Sequence, residues 1–240
     1  MNSVRRRIML TASALIPLAM ASEAKADTTD LAVICDLTLG VPLRSAGAAF
    51  RASTGVRIHV FPTAPGLITP QLSREVQIDI VVAQSDVLDQ ATQAGLLTTS
   101  PRSGTWSNAL VVAEMIDASG APDVGKFAVS ELAAASGIDG TAVVARLGID
   151  SARVVSAIDT SEVAFLLTTG GARTGLLRLT DVRADPRLRV VRTVADPSPA
   201  RCAAAITKGA RRPNPAAFIS FLGTEPARRL LATAGLEIVA

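Results

Sequence analysis

The chain has no tyrosine, one tryptophan and six phenylalanines among its 240 residues. Proteins that grip single-stranded nucleic acid stack bases on aromatic platforms, and few are available here. Surplus charge is missing as well. Arg5, Arg6, Arg7 and Lys25, against Glu23, account for the whole formal net charge of +3. From residue 27 onward acids and bases balance. No basic footprint for DNA or RNA survives.

Histidine is nearly absent too. His59 is the only one, so no imidazole base can be paired with each candidate Ser or Cys nucleophile. His59 stands alone in an apolar run and reads as a satisfied core or edge residue. There is no P-loop, no Gly-x-Ser-x-Gly, and no His/Cys/Asp/Glu cluster with metal-ligand spacing. That inventory argues against an enzyme, a metal site or a cofactor. Two cysteines, Cys35 and Cys202, leave two readings open: a disulfide, or two buried apolar thiols.

No stretch after residue 26 is long and apolar enough for a membrane helix. Residues 1–26 read as an export signal: the Arg5–Arg7 positive region, the apolar stretch Ile8–Ala21, and the small-x-small site Ala24-Lys25-Ala26. The apolar stretch is short for a bilayer span, although an N-terminal anchor is the alternative. "RRRIML" loosely resembles a twin-arginine signal without its usual lysine, so either export route remains open. The expected location is the periplasm.

What is present is an alternation of strand and helix signals. With 49% hydrophobic residues, the chain can build a sizeable core. "LAVIC" (31–35) is a continuous apolar run, suited to a strand covered on both faces. Leu39, Leu43, Ala46 and Phe50 then repeat at helical spacing up to Thr54-Gly55. "VRIHVF" (56–61) and "IDIVVA" (78–83) read as strands, with a short helix from Leu67 to Arg74 between them and Pro70 in its first turn. Ser85 opens a helix closed by Gly95. "NALVVAEM" (108–115), "RVVSAI" (153–158), "TGLLRLT" (174–180) and "LRVVRTV" (188–194) read as strands, and Trp106 as a residue packing near the crossover. Thr141–Leu147 reads as a helix. Asp159 and Glu162 have capping-box spacing for another. Two helices close the chain, with Asn214-Pro215 and Thr224 at their N-termini. Such alternation argues for an α/β protein with largely parallel sheets.

Order and spacing of these segments resemble the periplasmic molybdate-binding proteins, type II solute-binding proteins of ABC importers. "LAVICDLTLGVPLRSAGAAFRASTGVRI" resembles the family's opening strand, small-polar turn and helix. "QIDIVVAQSDVLDQATQAGLL" resembles its Ala-Asp segment and the helix ending in Gly-Leu. "NALVV" is similar to its Asn-x-Leu-Val crossover. "AAAITKGARRPNPAAFISFLGTEPARRLLATAGL" resembles its C-terminal helices.

The resemblance implies an α/β, two-lobe periplasmic-binding-protein-like (type II) fold with two crossover strands. Lobe one would be 27–109 plus 196–240 and lobe two 110–195. A small-molecule or oxyanion ligand would lie in the cleft, and the chain would act as a monomer that serves an ABC importer permease. In that family neutral hydroxyls and helix-terminal N–H groups hold the anion. Thr38 falls on the first anion-binding Ser; it reads equally as a helix cap. The second Ser falls on Ala64 or Pro65, where the hydroxyl is lost and Thr63 is a substitute. Ser136 and Thr160 fall near backbone donors of lobe two. Arg178 replaces a Tyr that contacts the anion, and Asp36 stands where the family has Ala. A carboxylate there repels an oxyanion: unit charges about 4 Å apart, at an effective dielectric near 20, interact by roughly 4 kcal/mol. Asp36 and Arg178 therefore form an expected pair, either a latch or a cradle for a zwitterion. Two further classes stay open: an envelope interaction or sensor protein without a transport role, and an enzyme on the same scaffold.

Overall fold

The computed structural model describes residues 30–74, 77–100, 102–117, 125–130, 139–195 and 201–239. The export signal expected at 1–26 and Ser136 lie outside these.

Six strands form one sheet in the order β11-β4-β10-β3-β1-β2. They are β1 (Leu31–Asp36), β2 (Ile58–Thr63), β3 (Ile80–Gln84), β4 (Ser103–Asn108), β10 (Arg201–Ile206) and β11 (Leu236–Ile238). Five form the other, in the order β7-β6-β8-β5-β9: β5 (Leu110–Met115), β6 (Phe127–Ser130), β7 (Val154–Ala157), β8 (Thr174–Arg178) and β9 (Leu188–Thr193). Only Ala109 separates β4 from β5, so the chain changes sheets there. It returns between β9 and β10.

Each sheet keeps a parallel trio. β2, β1 and β3 run parallel, as do β7, β6 and β8. Antiparallel strands complete both sheets. In each sheet helices leave the carboxyl ends of the trio. They are α1 (Gly40–Thr54), α2 (Pro65–Leu72) and α3 (Ser85–Gln93) in the first, α5 (Thr160–Thr168) and α6 (Leu179–Ala184) in the second. α4 (Gly140–Leu147) precedes β7. α7 (Pro215–Leu222) and α8 (Glu225–Thr233) pack back on the first sheet.

The apolar run of β1 is buried on both faces, as its sequence demands. Leu31, Val33 and Cys35 join Phe50, Phe218 and Leu222 on one side. Ala32 and Ile34 join Ile68, Val81 and Leu88 on the other. Phe50 and Phe218 meet edge to face, with ring centroids 5.3 Å apart, tying α1 to α7. Asp79, fully buried, accepts from Ala32 N at 2.8 Å and Arg212 Nη1 at 3.0 Å, and so fixes the segment before α7 to β1.

Several sequence expectations shift. Asn108 does not open the strand that follows; it ends β4, and the stretch "SGTWSN" forms a strand because β10 and β11 pair with it on both sides. Trp106 is buried in that strand. α2 begins at Pro65, where a missing N–H costs nothing, and Pro70 lies inside the helix instead of its first turn. The strand expected through Thr180 stops at Arg178, since Leu179 opens α6. Asn214 and Thr224 do stand at the N-cap positions of α7 and α8, each with Pro in the first turn, but neither side chain caps its helix: Asn214 sits at φ 66°, and the Thr224 hydroxyl donates backward to Phe221 O at 2.7 Å. Glu162 N does donate to Asp159 Oδ1 at 3.0 Å, while the Glu162 carboxylate accepts from Ile158 N, one residue before the cap.

Both cysteines are buried and free. β3 lies between their strands, which separates their backbones by roughly 10 Å at ordinary strand spacing. That exceeds disulfide reach. His59, on edge strand β2, has its Nε2 3.1 Å from Asp30 Oδ2. Among the described residues no helix is long and apolar enough to cross a membrane.

Candidate functional site

Parallel strands of an open α/β sheet present their carboxyl ends, and the N–H groups of the following helices, to one crevice. In the first sheet Asp36, Thr63 and Gln84 occupy those ends. In the second, Ser130, Ala157 and Arg178 do. The two sets are bridged by a buried polar network.

Asp36 is 1% exposed. It caps the 3-10 turn Leu37–Leu39: its Oδ1 accepts from Thr38 N at 3.1 Å and from Thr38 Oγ1 at 3.2 Å. Gln84 Nε2 donates to its Oδ2 at 3.1 Å. The Thr38 hydroxyl in turn accepts from Asn108 Nδ2 at 3.3 Å. Asn108, 2% exposed, is the hub. Its Nδ2 also donates to Thr180 Oγ1 at 2.8 Å, and its Oδ1 accepts from Thr180 N at 3.3 Å. Its backbone carbonyl accepts from Arg178 Nη1 at 3.1 Å. Asp181 Oδ2 accepts from Arg178 N at 3.1 Å, and the Asp181 side chain also bonds Thr160. The network therefore runs from β1 and β3 through the crossover at Asn108 to β8, α6 and α5.

Electrostatics sets the character of the cluster. Burial raises the Asp36 pKa above the ordinary carboxylate value; hydrogen bonds from Gln84 and Thr38, and the Arg178 charge, partly offset this. Part of residue 181 reaches solvent, yet its carboxyl is enclosed, and burial pushes it up to about 7. The bond from Arg178 N works against that rise and the Asp36 charge adds to it. Among the described residues, two carboxyls and one guanidinium thus share a largely dry volume. Asp36 and Arg178 attract each other through space, while the hydrogen bonds on Asp36 come from Thr38 and Gln84.

Of the residues singled out in the sequence, Asp36, Thr38, Arg178 and Thr160 belong to this network. Thr63 pairs in register with Asp36 across β1 and β2. It stands outside the network, and its hydroxyl faces Phe61 O at 3.3 Å and Gln71 Oε1 at 3.4 Å. Ala64 precedes α2 as its N-cap residue without a side-chain bond. Thr160 is not the cap of α5; Asp159 is. Gln84, Asn108, Thr180 and Asp181 were not foreseen as site residues. Asn108 opens the quoted "NALVV", and Gln84 is the polar end of an apolar strand, so both left a trace. Thr180 and Asp181 were hidden by reading 174–180 as one strand. Among the described residues no group of His, Cys, Asp and Glu is placed to hold a metal ion.

A bilobal α/β scaffold whose two sheets are bridged by a buried polar network at the strands' carboxyl ends fits the architecture of solute-binding proteins. Residues 31–237 match the family of bacterial extracellular solute-binding proteins, and the chain belongs to that family. No curated protein matches it. Among solved structures, the periplasmic molybdate-binding protein of Azotobacter vinelandii shares its fold at a TM-score of 0.73 and 18% identity, covering 88% of this chain and 100% of that one. Peb3 from Campylobacter jejuni gives 0.62 and 16%, covering 87% and 99%. The sulfate-binding protein SubI from Mycobacterium tuberculosis gives 0.64 and 14%, covering 88% and 87%. The type II two-lobe fold is therefore that of this chain.

Proposed function

We propose that this chain is exported, its first 26 residues serving as the signal, and that it captures a small anion for the permease of an ABC importer. Molybdate- or tungstate-like oxyanions and small carboxylates are the candidate solutes. The lobes are 27–109 plus 196–240 and 110–195, and hinge closure about the two crossovers traps the solute. The observation that carries this reading is the network itself. Side chains from the carboxyl ends of both parallel trios converge on Asn108, at the point where the chain passes from one sheet to the other. The names of the structural relatives support an anionic solute: one is a molybdate-binding protein, one a sulfate-binding protein, and PEB3 is recorded bound to L-phospholactate.

The test is thermal unfolding against molybdate, tungstate, sulfate, phosphate and small carboxylates. A solute at a hundred times its Kd stabilises by about 2.7 kcal/mol, which for a chain of this size raises Tm by roughly 5–10 °C. At least one of the panel is expected to do so. A second reading, an envelope interaction or sensor protein on the same scaffold, is favoured by one observation: the donors of Thr38 are taken up by Asp36. A panel that stays flat with glycine included selects that second reading.

A further inference from the structure

Thr38 is the residue on which an anion would be expected to rest, yet neither of its donors points to a solute. Its hydroxyl has one proton, directed at Asp36 Oδ1, and its backbone N–H is directed at the same oxygen. The lone pairs of that hydroxyl face Asn108 Nδ2. Gln84, the other polar side chain at the end of the trio, donates to Asp36 Oδ2. Asp36 thus stands to the first sheet as a bound anion would: it caps the helical turn and collects an N–H, an O–H and an amide. A carboxylate offers about four lone-pair sites, and three are engaged. What remains on Asp36 accepts hydrogen bonds and repels negative charge.

We propose that Asp36 is a built-in competitor for the anion, and that it restricts this cleft to solutes carrying a hydrogen-bond donor or positive charge beside their anionic group. This rests on, and deepens, the reading of the cleft as an anion site. A tetrahedral oxyanion with no proton has only acceptors to offer and meets Asp36 as a like charge. A solute with an O–H or ammonium group meets it as a partner, while its anionic end faces Arg178, buried on β8. Protonation of Asp36 would lift the restriction. Among the described residues, the ionisable groups around it are Arg178 on β8, Asp181 on α6, Cys35 on its own strand and Cys202 on β10, with Arg44 of α1 acting on Cys35.

Binding is measured by calorimetry with sulfate as the acceptor-only probe, and inorganic phosphate and glycine as donor-bearing probes, on the full mature chain and on Asp36→Asn. The variant is expected to bind sulfate up to about a thousandfold more tightly than the wild type, since one like-charge contact is removed. Its preference for the donor-bearing probes should collapse. Wild-type affinity for sulfate should also rise as the pH is lowered, because burial raises the Asp36 pKa, and this slope should vanish in Asp36→Asn but persist in Asp181→Asn. That wild-type measurement stands even where a variant folds poorly. Equal sulfate affinity in wild type and Asp36→Asn, or a pH-independent wild type that already binds sulfate as tightly as phosphate, overturns the inference. If the wild type binds no probe while Asp36→Asn binds sulfate, the anion reading of the natural protein fails and the role of Asp36 stands. If neither binds, both are rejected.

Discussion

Replacing Asn108 with alanine tests the junction on which the two sheets depend. The change removes three buried hydrogen bonds: to Thr180 Oγ1 at 2.8 Å, to Thr38 Oγ1 at 3.3 Å, and from Thr180 N at 3.3 Å. Each is worth about 1 kcal/mol net. The Thr180 N–H, buried at the start of α6, is left without its partner, a further cost of about 1–3 kcal/mol. The backbone bond from Arg178 Nη1 to the residue-108 carbonyl survives. The expected loss is therefore about 4–6 kcal/mol, a drop in Tm of roughly 8–24 °C for a chain of this size. Urea unfolding at fixed pH should show a lower midpoint with an unchanged slope, the sign of lost stability without a change in exposed surface. In the double variant with Thr180→Ala the loss should be well short of additive, because the two residues share their bonds. An Asn108→Ala protein within about 1 kcal/mol of wild type, or full additivity with Thr180→Ala, would mean that Asn108 does not tie the two sheets together.

Two other consequences are open to direct measurement. The Asp181 carboxyl, pushed from 3.8 up to about 7 by burial, holds a proton in the folded chain that the unfolded chain has already released. Unfolding free energy should therefore fall as pH rises from about 4 to 7, by up to roughly 4 kcal/mol; Asp181→Asn should flatten that slope, as read by denaturant titrations across the range. Asp79→Ala removes the acceptor of Ala32 N and Arg212 Nη1 and leaves a charge without its buried partner, so chemical denaturation should register a loss of about 3–5 kcal/mol.

How much of this was legible in the chain depends on the kind of signal. β1 and β3 were readable because continuous apolar runs need cover on both faces, and α1 because Leu43, Ala46 and Phe50 keep helical spacing up to a glycine at φ 78°. β4 was not, because Ser103, Gly104, Ser107 and Asn108 have poor strand propensity; partners on both sides, from β10 and β11, impose the conformation. The boundary at Arg178 was missed for a related reason: Leu176, Leu177 and Leu179 keep an apolar character across Arg178 while the backbone turns into α6. The site was legible in part. Asp36, Thr38, Thr160 and Arg178 were picked out and do share one network. Asp36 could be flagged as the wrong charge for an anion site, but its role as acceptor for both Thr38 donors depends on a cap geometry that spacing alone does not fix. Asn108 was visible as a crossover residue; its four bonds, spread across two sheets, emerge only when residues 38 and 180 are brought together by the fold.

The central claim is that the crevice between the two sheets captures one small solute. Calorimetric titration of the mature chain with the solute that most raises Tm tests it most directly. Saturable binding of one molecule per chain is expected, weakened at least tenfold by Arg178→Gln. Binding without a defined stoichiometry, or binding that Arg178→Gln leaves untouched, would contradict it.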